Sequence, residues 1–393
     1  MSSASATLTR AKVFNQSWPI MLATGAAPIV GLVDTLMVGR FVGTQALAGI
    51  GLGAVIYGIA YWGFGFLRMS TAGLTAQSDG AGAEAEVQAH IIRAIPLGFA
   101  IGLLLFAFQI PLLKAAFAIF TASAEIEGSA TDYIRARLWG LPATLGTIAL
   151  MGWFVGISRA GLALGLQIVL NIVNIILSPI FVIILGGGLV GVGLASAAAE
   201  WAGFAAGIYL MIREVKRRGG WKPGAFTKKV LLAQDALSKL GIANGNIFIR
   251  TMALTVGFNF FGNAAASEGE VYLAGNHILM QMITMAALAL DGFAHTAEDV
   301  TGAAYGAMDR SRFDRAVRLT SEYSIGFALL LGGAIYVGGP FLIRLLTTDP
   351  AVIESAMTYL PYCALAPILG FAAYQMDGIF IGTTRTAAMR NAG

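Results

Sequence analysis

The sequence predicts an all-helical, polytopic membrane protein, and three observations carry that prediction. Of the 393 residues, 57% are hydrophobic. Only 12% are Asp, Glu, Lys or Arg, about half the share found in soluble proteins. Apolar runs long enough to cross a bilayer, roughly 20 residues each, recur along the whole chain. This composition excludes a soluble globular fold, which needs a charged surface, and it excludes intrinsic disorder.

The apolar runs predict ten membrane spans. Their bounds are 14–38, 46–68, 91–112, 133–157, 162–185, 189–212, 240–262, 271–295, 319–346 and 356–382. If the N-terminus is cytoplasmic, 19 of the 25 Lys and Arg residues fall in cytoplasmic segments and five fall outside. The positive-inside rule therefore predicts a cytoplasmic N-terminus.

The segment 214–239 is basic and lies between the sixth and seventh spans. It predicts a cytoplasmic linker between an N-terminal lobe, 1–213, and a C-terminal lobe, 240–393. The net charge of the chain is +4, and its basic residues are spread over loops, so we expect no nucleic-acid partner. The single cysteine, Cys363, excludes a disulfide framework and a cysteine-based zinc site.

The two lobes align without gaps at an offset of 226 residues. The sequence Leu-Ala-Gly at 47–49 recurs at 273–275, and the block 152–159 shares Gly, Phe, Gly and Arg with 378–385. Six spans per repeat is an even number, so the two repeats have the same orientation, as in many transporters. The offset leaves the second repeat with four helices, so we expect it to be truncated by two spans.

Four GxxxG pairs lie in the predicted spans and predict close contacts between helices. They are Gly49/Gly53, Gly152/Gly156, Gly161/Gly165 and Gly378/Gly382.

Polar residues within the first, fifth and sixth spans are the leading site candidates, because an ionisable group in the bilayer is costly and usually functional. Asp34 lies in the first span, Asn174 and Ser178 one turn apart in the fifth, and Ser196 in the sixth. Asp34, Ser178 and Ser196 have similar predicted depths, in the outer half of the membrane. A carboxylate with amide and hydroxyl oxygens nearby can carry a proton or a hard cation such as Na⁺. The alternative is an interfacial Asp capped by neighbouring helices.

Two prolines, Pro19 and Pro28, lie in the first span with Asp34. Each removes a backbone hydrogen bond and can bend the helix. The bend is either a moving part or a static feature.

A second polar cluster closes the eighth span, where Asp291, His295 and Glu298 share one helix face, and Asp377 is a further acid in the tenth span. A histidine beside acids can relay protons. Glu298 can alternatively reach the cytoplasmic interface, and Arg250 is a candidate partner for one of the acids. We expect no metal site, since the chain has three histidines in all.

Enzyme and nucleotide-binding motifs give no support for catalysis. The sequence GxGxxG at 186–191 lies in a turn between spans without a βαβ setting, and there is no P-loop. We therefore expect no enzyme activity, no cofactor and no direct use of ATP. An intramembrane enzyme built on His295 and Asp291 is a remote alternative.

At this point the order of motifs resembles the multidrug and toxic compound extrusion (MATE) transporters, specifically their DinF-like branch. The segments that carry the resemblance are Pro28 to Gly49, Asn174 to Gly193, Leu273 to Asn276, Leu290 to Glu298, and Met376 to Asn391. The resemblance implies two six-helix lobes in a V shape, alternating access, and export of cationic or amphipathic organic compounds in exchange for H⁺ or Na⁺. It also implies a monomer in a bacterial-type inner membrane.

The resemblance assigns roles to individual residues. It makes Asp34 the coupling residue and Pro19 the bending proline, and it places a cation site at Asn174, Ser178 and Ser196. The family has an Asp at the position of Ser178 and a Thr at that of Ser196. The loss of that carboxylate lowers the negative charge of the site and favours H⁺ over Na⁺.

The sequence therefore predicts a proton-coupled antiporter for drugs or toxic compounds, with Asp34 as coupling residue. One alternative is a lipid-linked saccharide flippase of the same superfamily, which would need a strongly basic cavity. Another is a truncated remnant that does not transport.

Overall fold

The computed structural model describes residues 8–120, 122–231 and 233–392, and those residues form helices and connecting turns with no β-strand. The predicted all-α class is thus confirmed. The first helices are α1 (Arg10–Ala26), α2 (Ile29–Phe41), α3 (Thr44–Gly63), α4 (Phe66–Gly80), α5 (Glu84–Ala107), α6 (Gln109–Ile119), α7 (Ala124–Leu138) and α8 (Leu141–Gly156). They are followed by α9 (Ala160–Pro179), which continues as a π-helical turn, and by α10 (Gly188–Arg217), α11 (Lys228–Leu231), α12 (Gln234–Ser267), α13 (Glu270–Gly306), α14 (Arg310–Leu346), α15 (Pro350–Gly382) and α16 (Thr386–Ala392).

Among the described residues, eight helical segments are long and apolar enough to cross a membrane. They are Arg10–Phe41, Ala46–Gly80, Glu84–Ala107, Ala160–Ile184, Gly188–Arg217, Glu270–Gly306, Arg310–Leu346 and Pro350–Gly382. The pair α7 and α8, bent by 56°, makes a ninth if it counts as one span. The span expected at 240–262 lies within α12, which is not in this set, so the count of ten stays a prediction.

The helices form two compact units. The N-terminal unit comprises residues 26–75 and 83–240. The C-terminal unit comprises the helices from Gly241 onward together with α1 up to Gly25 and the segment Ala76–Gly82. The domain boundaries expected from the sequence stay a prediction, namely lobes at 1–213 and 240–393 and a linker at 214–239. The compact units divide the chain differently, because α1 up to Gly25 packs with the helices from Gly241 onward.

Hydrogen bonds explain why α1 associates with the C-terminal unit. The Ser17 hydroxyl donates to Thr296 Oγ1 at 2.8 Å, and the Thr24 hydroxyl lies 3.0 Å from the Leu288 carbonyl oxygen. Both partners are on α13. Polar groups away from water need such partners, so these bonds hold α1 against that helix.

The 226-residue offset seen in the sequence recurs in the backbone. Helix α7 begins at Ala124 and α15 at Pro350, while α8 ends at Gly156 and α15 at Gly382. Residues with positive φ recur at the same offset: Gly43 and Gly269, Gly82 and Met308, and Ser158 and Thr384. Left-handed backbone is costly for residues with a Cβ, so its recurrence at Ser158 and Thr384 indicates that the same turn is built twice.

The two halves differ in helix continuity. Four helix pairs of the first half are interrupted where their counterparts are continuous: α1 and α2 against α12, α3 and α4 against α13, α5 and α6 against α14, and α7 and α8 against α15. An interruption frees backbone groups and redirects side chains. Two of these interruptions, between α1 and α2 and between α7 and α8, lie near the buried polar side chains of the N-terminal unit, which include Asp34.

Close helix contacts explain three of the four GxxxG pairs. A Cβ on Gly152 would collide with the Arg68 carbonyl oxygen, and one on Gly378 would collide with that of Ala294, again at an offset of 226 residues. The expectation is wrong for Gly161 and Gly165, where a Cβ would meet no described atom within 4 Å.

The basic segment after α10 packs on α5. Arg218 forms an ion pair with Glu84 at 2.7 Å, and Gln88 Nε2 donates to the Gly220 carbonyl oxygen at 3.1 Å. Part of its positive charge is therefore neutralised within the N-terminal unit.

These contacts predict that Gly378→Ala destabilises the protein while Gly165→Ala does not. The new Cβ at 378 forces backbone apart, and overpacking of this kind costs about 1–3 kcal/mol. At 165 the space is open and alanine favours the helix. The measurement is thermal unfolding of the two purified variants in detergent. Equal midpoints for both would contradict the assigned contact.

A buried carboxylate cluster in the N-terminal unit

The helix that carries Asp34 begins at a break. Pro28 is the N-cap of α2, with no N–H to continue the helix from α1, and residues 27–28 form a turn. The break frees the Ala26 carbonyl oxygen, which accepts a hydrogen bond from Asn171 Nδ2 at 2.9 Å. Pro19 lies within α1 without interrupting it. The break in the first span is therefore at Pro28, at the point where the chain passes from one compact unit to the other.

Asp34 is almost completely buried, with 1% of its surface exposed. Its Oδ2 accepts hydrogen bonds from Ser196 Oγ at 2.8 Å and from the Tyr133 hydroxyl at 3.2 Å. Its Oδ1 accepts one from Asn174 Nδ2 at 3.3 Å. Three donors from three helices surround an acceptor-only group, which is the arrangement that an ionised carboxylate requires.

Arg137 lies between two carboxylates. Its Nη1 is 3.6 Å from Asp34 Oδ2, and its Nε is 3.6 Å from Glu200 Oε1. Both separations exceed the usual N–H···O distance, so neither acid holds the guanidinium in a direct hydrogen bond. Nη1 donates instead to the Tyr133 hydroxyl. The guanidinium carbon lies 4.2 Å from the centroid of the Tyr57 ring, within cation–π range.

Glu200 is the second buried acid of the cluster, on α10 one turn after Ser196. Its Oε1 accepts a hydrogen bond from the Tyr57 hydroxyl at 3.0 Å. Its Oε2 has no hydrogen-bond partner among the described residues. A Cβ on Gly140 would collide with this oxygen, so glycine at the bend between α7 and α8 makes room for the Glu200 carboxyl group.

Glycines also allow α7 to approach its neighbours. A Cβ on Gly53 of α3 would lie 2.7 Å from the Tyr133 ring, and one on Gly193 of α10 would lie 2.7 Å from the Tyr133 carbonyl oxygen. Real Cβ atoms do not come so close, so α3 and α10 can flank α7 at this depth only without side chains there. The polar side chains of α3, α7 and α10 therefore meet at short range.

Three of the predicted coupling residues come together, and a fourth lies beside them. Asn174 Nδ2 donates to Ser196 Oγ at 3.0 Å as well as to Asp34. Ser178 is fully buried on the same helix as Asn174, but its hydroxyl has no hydrogen-bond partner among the described residues. The roles of Asp34, Asn174, Ser178 and Ser196 in coupling stay predictions.

The remaining candidates lie on helices of the C-terminal unit. Asp377 pairs with Arg250, as the sequence suggested for one of the acids. Glu298 is fully buried on α13, while Asp291 and His295 on the same helix are half-buried. The neighbouring Asp299 accepts a hydrogen bond from Gln16 Nε2 at 3.2 Å. Their functional roles are untested.

Sequence reasoning missed Tyr57, Tyr133 and Arg137 and gave Glu200 little weight. The charge distribution counted Arg137 among the five outside basic residues, near the start of the fourth predicted span at 133–157. The helix begins at Ala124 and bends at 139–140, which places Arg137 inside it. The available signal was Glu200 itself, since an acid in an apolar segment needs a cation or a proton.

This arrangement can bind a proton. Asp34 is buried, surrounded by donors and close to one guanidinium, so its charge depends on what occupies the cluster. Several helices supply the donors, so a change in the charge of Asp34 alters contacts on α2, α7, α9 and α10 together.

Comparisons with known proteins agree on one family. The MatE family model matches residues 19–180 and 247–390. The DNA damage-inducible protein F of Escherichia coli strain K12 is 31% identical over 381 residues, which cover 95% of this chain and 80% of that protein. The probable multidrug resistance protein NorM of Aromatoleum aromaticum is 27% identical over 374 residues, or 91% and 77% of the two chains. The crystal structure of the Vibrio cholerae MATE transporter VcmN in the bent form superposes with a TM-score of 0.84 at 20% identity, over 97% of this chain and 85% of that one.

The geometry predicts that Ser196→Ala destabilises the protein and that Ser178→Ala does not. Both serines are buried, but only the hydroxyl of Ser196 donates to Asp34. A hydrogen bond to a charged group contributes about 1.5–3 kcal/mol, whereas removing an unpaired buried hydroxyl costs nothing or stabilises. Thermal unfolding of the two variants in detergent measures the difference. A larger loss for Ser178→Ala would show that the cluster is organised differently.

Proposed function

The chain belongs to the MatE family of membrane transporters, and from that premise we propose that it is a secondary antiporter that exports cationic or amphipathic organic compounds in exchange for protons. Asp34 is the coupling residue of this proposal. The single observation that carries it is the burial of Asp34 among donors from Tyr133, Asn174 and Ser196.

The charges around Asp34 favour H⁺ over Na⁺ as the coupling ion. The guanidinium of Arg137 stands 3.6 Å from Asp34 Oδ2, and its positive charge opposes a metal cation at the same carboxylate. In this structure the Tyr133 and Ser196 hydroxyls and the Asn174 amide all donate to the carboxylate oxygens, so a Na⁺ ion would require these groups to turn their oxygen lone pairs toward it. Asn174 Oδ1 and Ser178 Oγ, which have no described partner, are the oxygens that a Na⁺ alternative would use.

The proposed cycle uses the break at Pro28. With Asp34 ionised, its carboxylate attracts a cationic compound. Protonation from outside removes a charge from α2 and weakens its bonds to Ser196 and Asn174. Because the backbone hydrogen bonding is interrupted before α2, α2 can move without a matching movement of α1. We place the protein in a bacterial-type inner membrane as a monomer with a cytoplasmic N-terminus, as the distribution of basic residues favours.

The charge partners of the buried arginines argue against a lipid-linked saccharide flippase. Arg137 faces Asp34 and Glu200, and Arg250 pairs with Asp377. A cavity for an anionic lipid-linked sugar would need basic groups that are not already neutralised by acids.

We predict that Asp34→Asn abolishes proton-coupled export, because an amide cannot take up the proton. The assay reconstitutes the purified protein in liposomes and follows ethidium transport driven by an imposed pH gradient or an imposed Na⁺ gradient. The matched control is Asp132→Asn, the same change at an exposed carboxylate on α7, which should retain the parent rate.

Two results would contradict the proposal. Transport by Asp34→Asn at the parent rate would remove Asp34 from coupling. Transport by the parent under a Na⁺ gradient alone, at constant pH, would replace H⁺ by Na⁺.

A further inference from the structure

We propose that Glu200 is a second proton-carrying residue of the coupling site: Asp34 and Glu200 share one exchangeable proton, and Arg137 pairs with whichever carboxylate is ionised. This inference rests on the proposed function and deepens it. It assigns a proton position on α10 and makes Arg137 the residue that links it to α2.

The surroundings of the two acids are nearly symmetric about Arg137. Each carboxylate has one oxygen 3.6 Å from the guanidinium. Each also accepts a hydrogen bond from one tyrosine, Asp34 from Tyr133 and Glu200 from Tyr57. Both tyrosine rings lie near the guanidinium carbon, at 5.7 Å and 4.2 Å. The guanidinium is thus held by aromatic rings between two acids rather than fixed to one of them.

The hydrogen bonds indicate where the proton is in this structure. The oxygens of Asp34 accept three hydrogen bonds, as an ionised group requires. Glu200 Oε2 is buried and has no partner among the described residues. A bare carboxylate oxygen in an apolar setting is costly, and a proton on Oε2 removes the charge. We therefore assign the exchangeable proton to Glu200 in this arrangement, with Asp34 ionised and Arg137 as its counterion.

Charge balance then permits one further arrangement. Besides Asp34 and Glu200, the described ionisable groups at the cluster are Arg137 on α7 and three phenols, Tyr57 and Tyr61 on α3 and Tyr133 on α7. With both acids ionised and Arg137 charged, the cluster has a net charge of −1, and one proton makes it neutral. When that proton leaves Glu200 Oε2 and one binds to Asp34, Arg137 shifts to Glu200, and the net charge stays zero. Loss of the proton without replacement leaves −1, which favours a bound organic cation.

The test is the pH dependence of ethidium transport by reconstituted protein, measured for three variants of the cluster and one control variant. Glu200→Gln is isosteric and removes a negative charge, so Asp34 should hold its proton less strongly and the pH midpoint should fall. Arg137→Met removes the counterion, so the midpoint should rise. A charge at this range shifts such midpoints by about one unit or more. Arg137→Lys keeps the charge and should restore a midpoint near that of the parent.

The matched control is Glu214→Gln. It is the same change on the same helix at another buried, ion-paired glutamate, whose partners are Arg159 and Arg217. Its midpoint should equal that of the parent. Opposite shifts for Glu200→Gln and Arg137→Met show the charge coupling that the proposal requires, because loss of packing alone does not change sign with the charge removed. Unchanged midpoints, or shifts in the same direction, overturn it.

A second measurement needs no transport and separates this proposal from the proposed function. Infrared difference spectra record the carboxylic acid band of the detergent-solubilised protein during a pH titration, with the double variant Asp34→Asn/Glu200→Gln as baseline. Sharing predicts that Asp34→Asn still shows a titrating carboxyl group above that baseline, which is the carboxyl group of Glu200. Absence of this band overturns the shared proton even if Asp34→Asn is inactive in transport. Its presence supports the shared proton even if ethidium is not a substrate.

Discussion

A charge inside the bilayer must have a partner of opposite charge or lose its charge, and the N-terminal unit is organised around that constraint at Arg137. One guanidinium stands between two carboxylates, each of which lies on a different helix. The tyrosines that support the guanidinium also donate to those acids. The charges of Asp34 on α2, Arg137 on α7 and Glu200 on α10 are therefore coupled. Neutralising any one of the three changes the balance of charge around the other two.

Backbone features, more than side chains, make this arrangement possible. The bend between α7 and α8 turns Arg137 inward, and Gly140 within it leaves space for the Glu200 carboxyl group. Because of the break before α2, Asp34 lies on a short helix that is not joined to α1 by continuous backbone hydrogen bonds. At the break, Asn171 Nδ2 donates a hydrogen bond to the Ala26 carbonyl oxygen. Interruptions normally destabilise a membrane helix because they free polar backbone groups. Here the freed carbonyl group of Ala26 has a hydrogen-bond partner, and the interruption positions Asp34 among its donors.

The sequence predicted the fold class and the acid at the centre of the site, and it failed on the cation. Composition and apolar periodicity determine that helices span the membrane, and an Asp within such a run stands out without any structure. Arg137 did not stand out, because a basic residue near the end of a predicted span looks like an interfacial one. Its true position depends on a helix that begins nine residues earlier than expected and then bends. Tyr57 and Tyr133 look like ordinary apolar packing until their hydroxyl groups are placed against the acids. Such pairings depend on contacts between helices distant in sequence, which periodicity does not reveal.

The repeated backbone provides an internal control for the meaning of the cluster. At the 226-residue offset, Asp34 corresponds to Phe260, Tyr57 to Ile283 and Arg137 to Cys363. Cys363 is buried on α15, in a continuous helix packed among apolar side chains. The second copy of these helices therefore has no acid, phenol or cation at these three positions, whereas Tyr133 corresponds to Tyr359. The three residues differ together, as the charge constraint requires, because any one of them alone would be a buried polar group without its partner. The first copy therefore differs from the second in having helices that are linked by one buried group of charges.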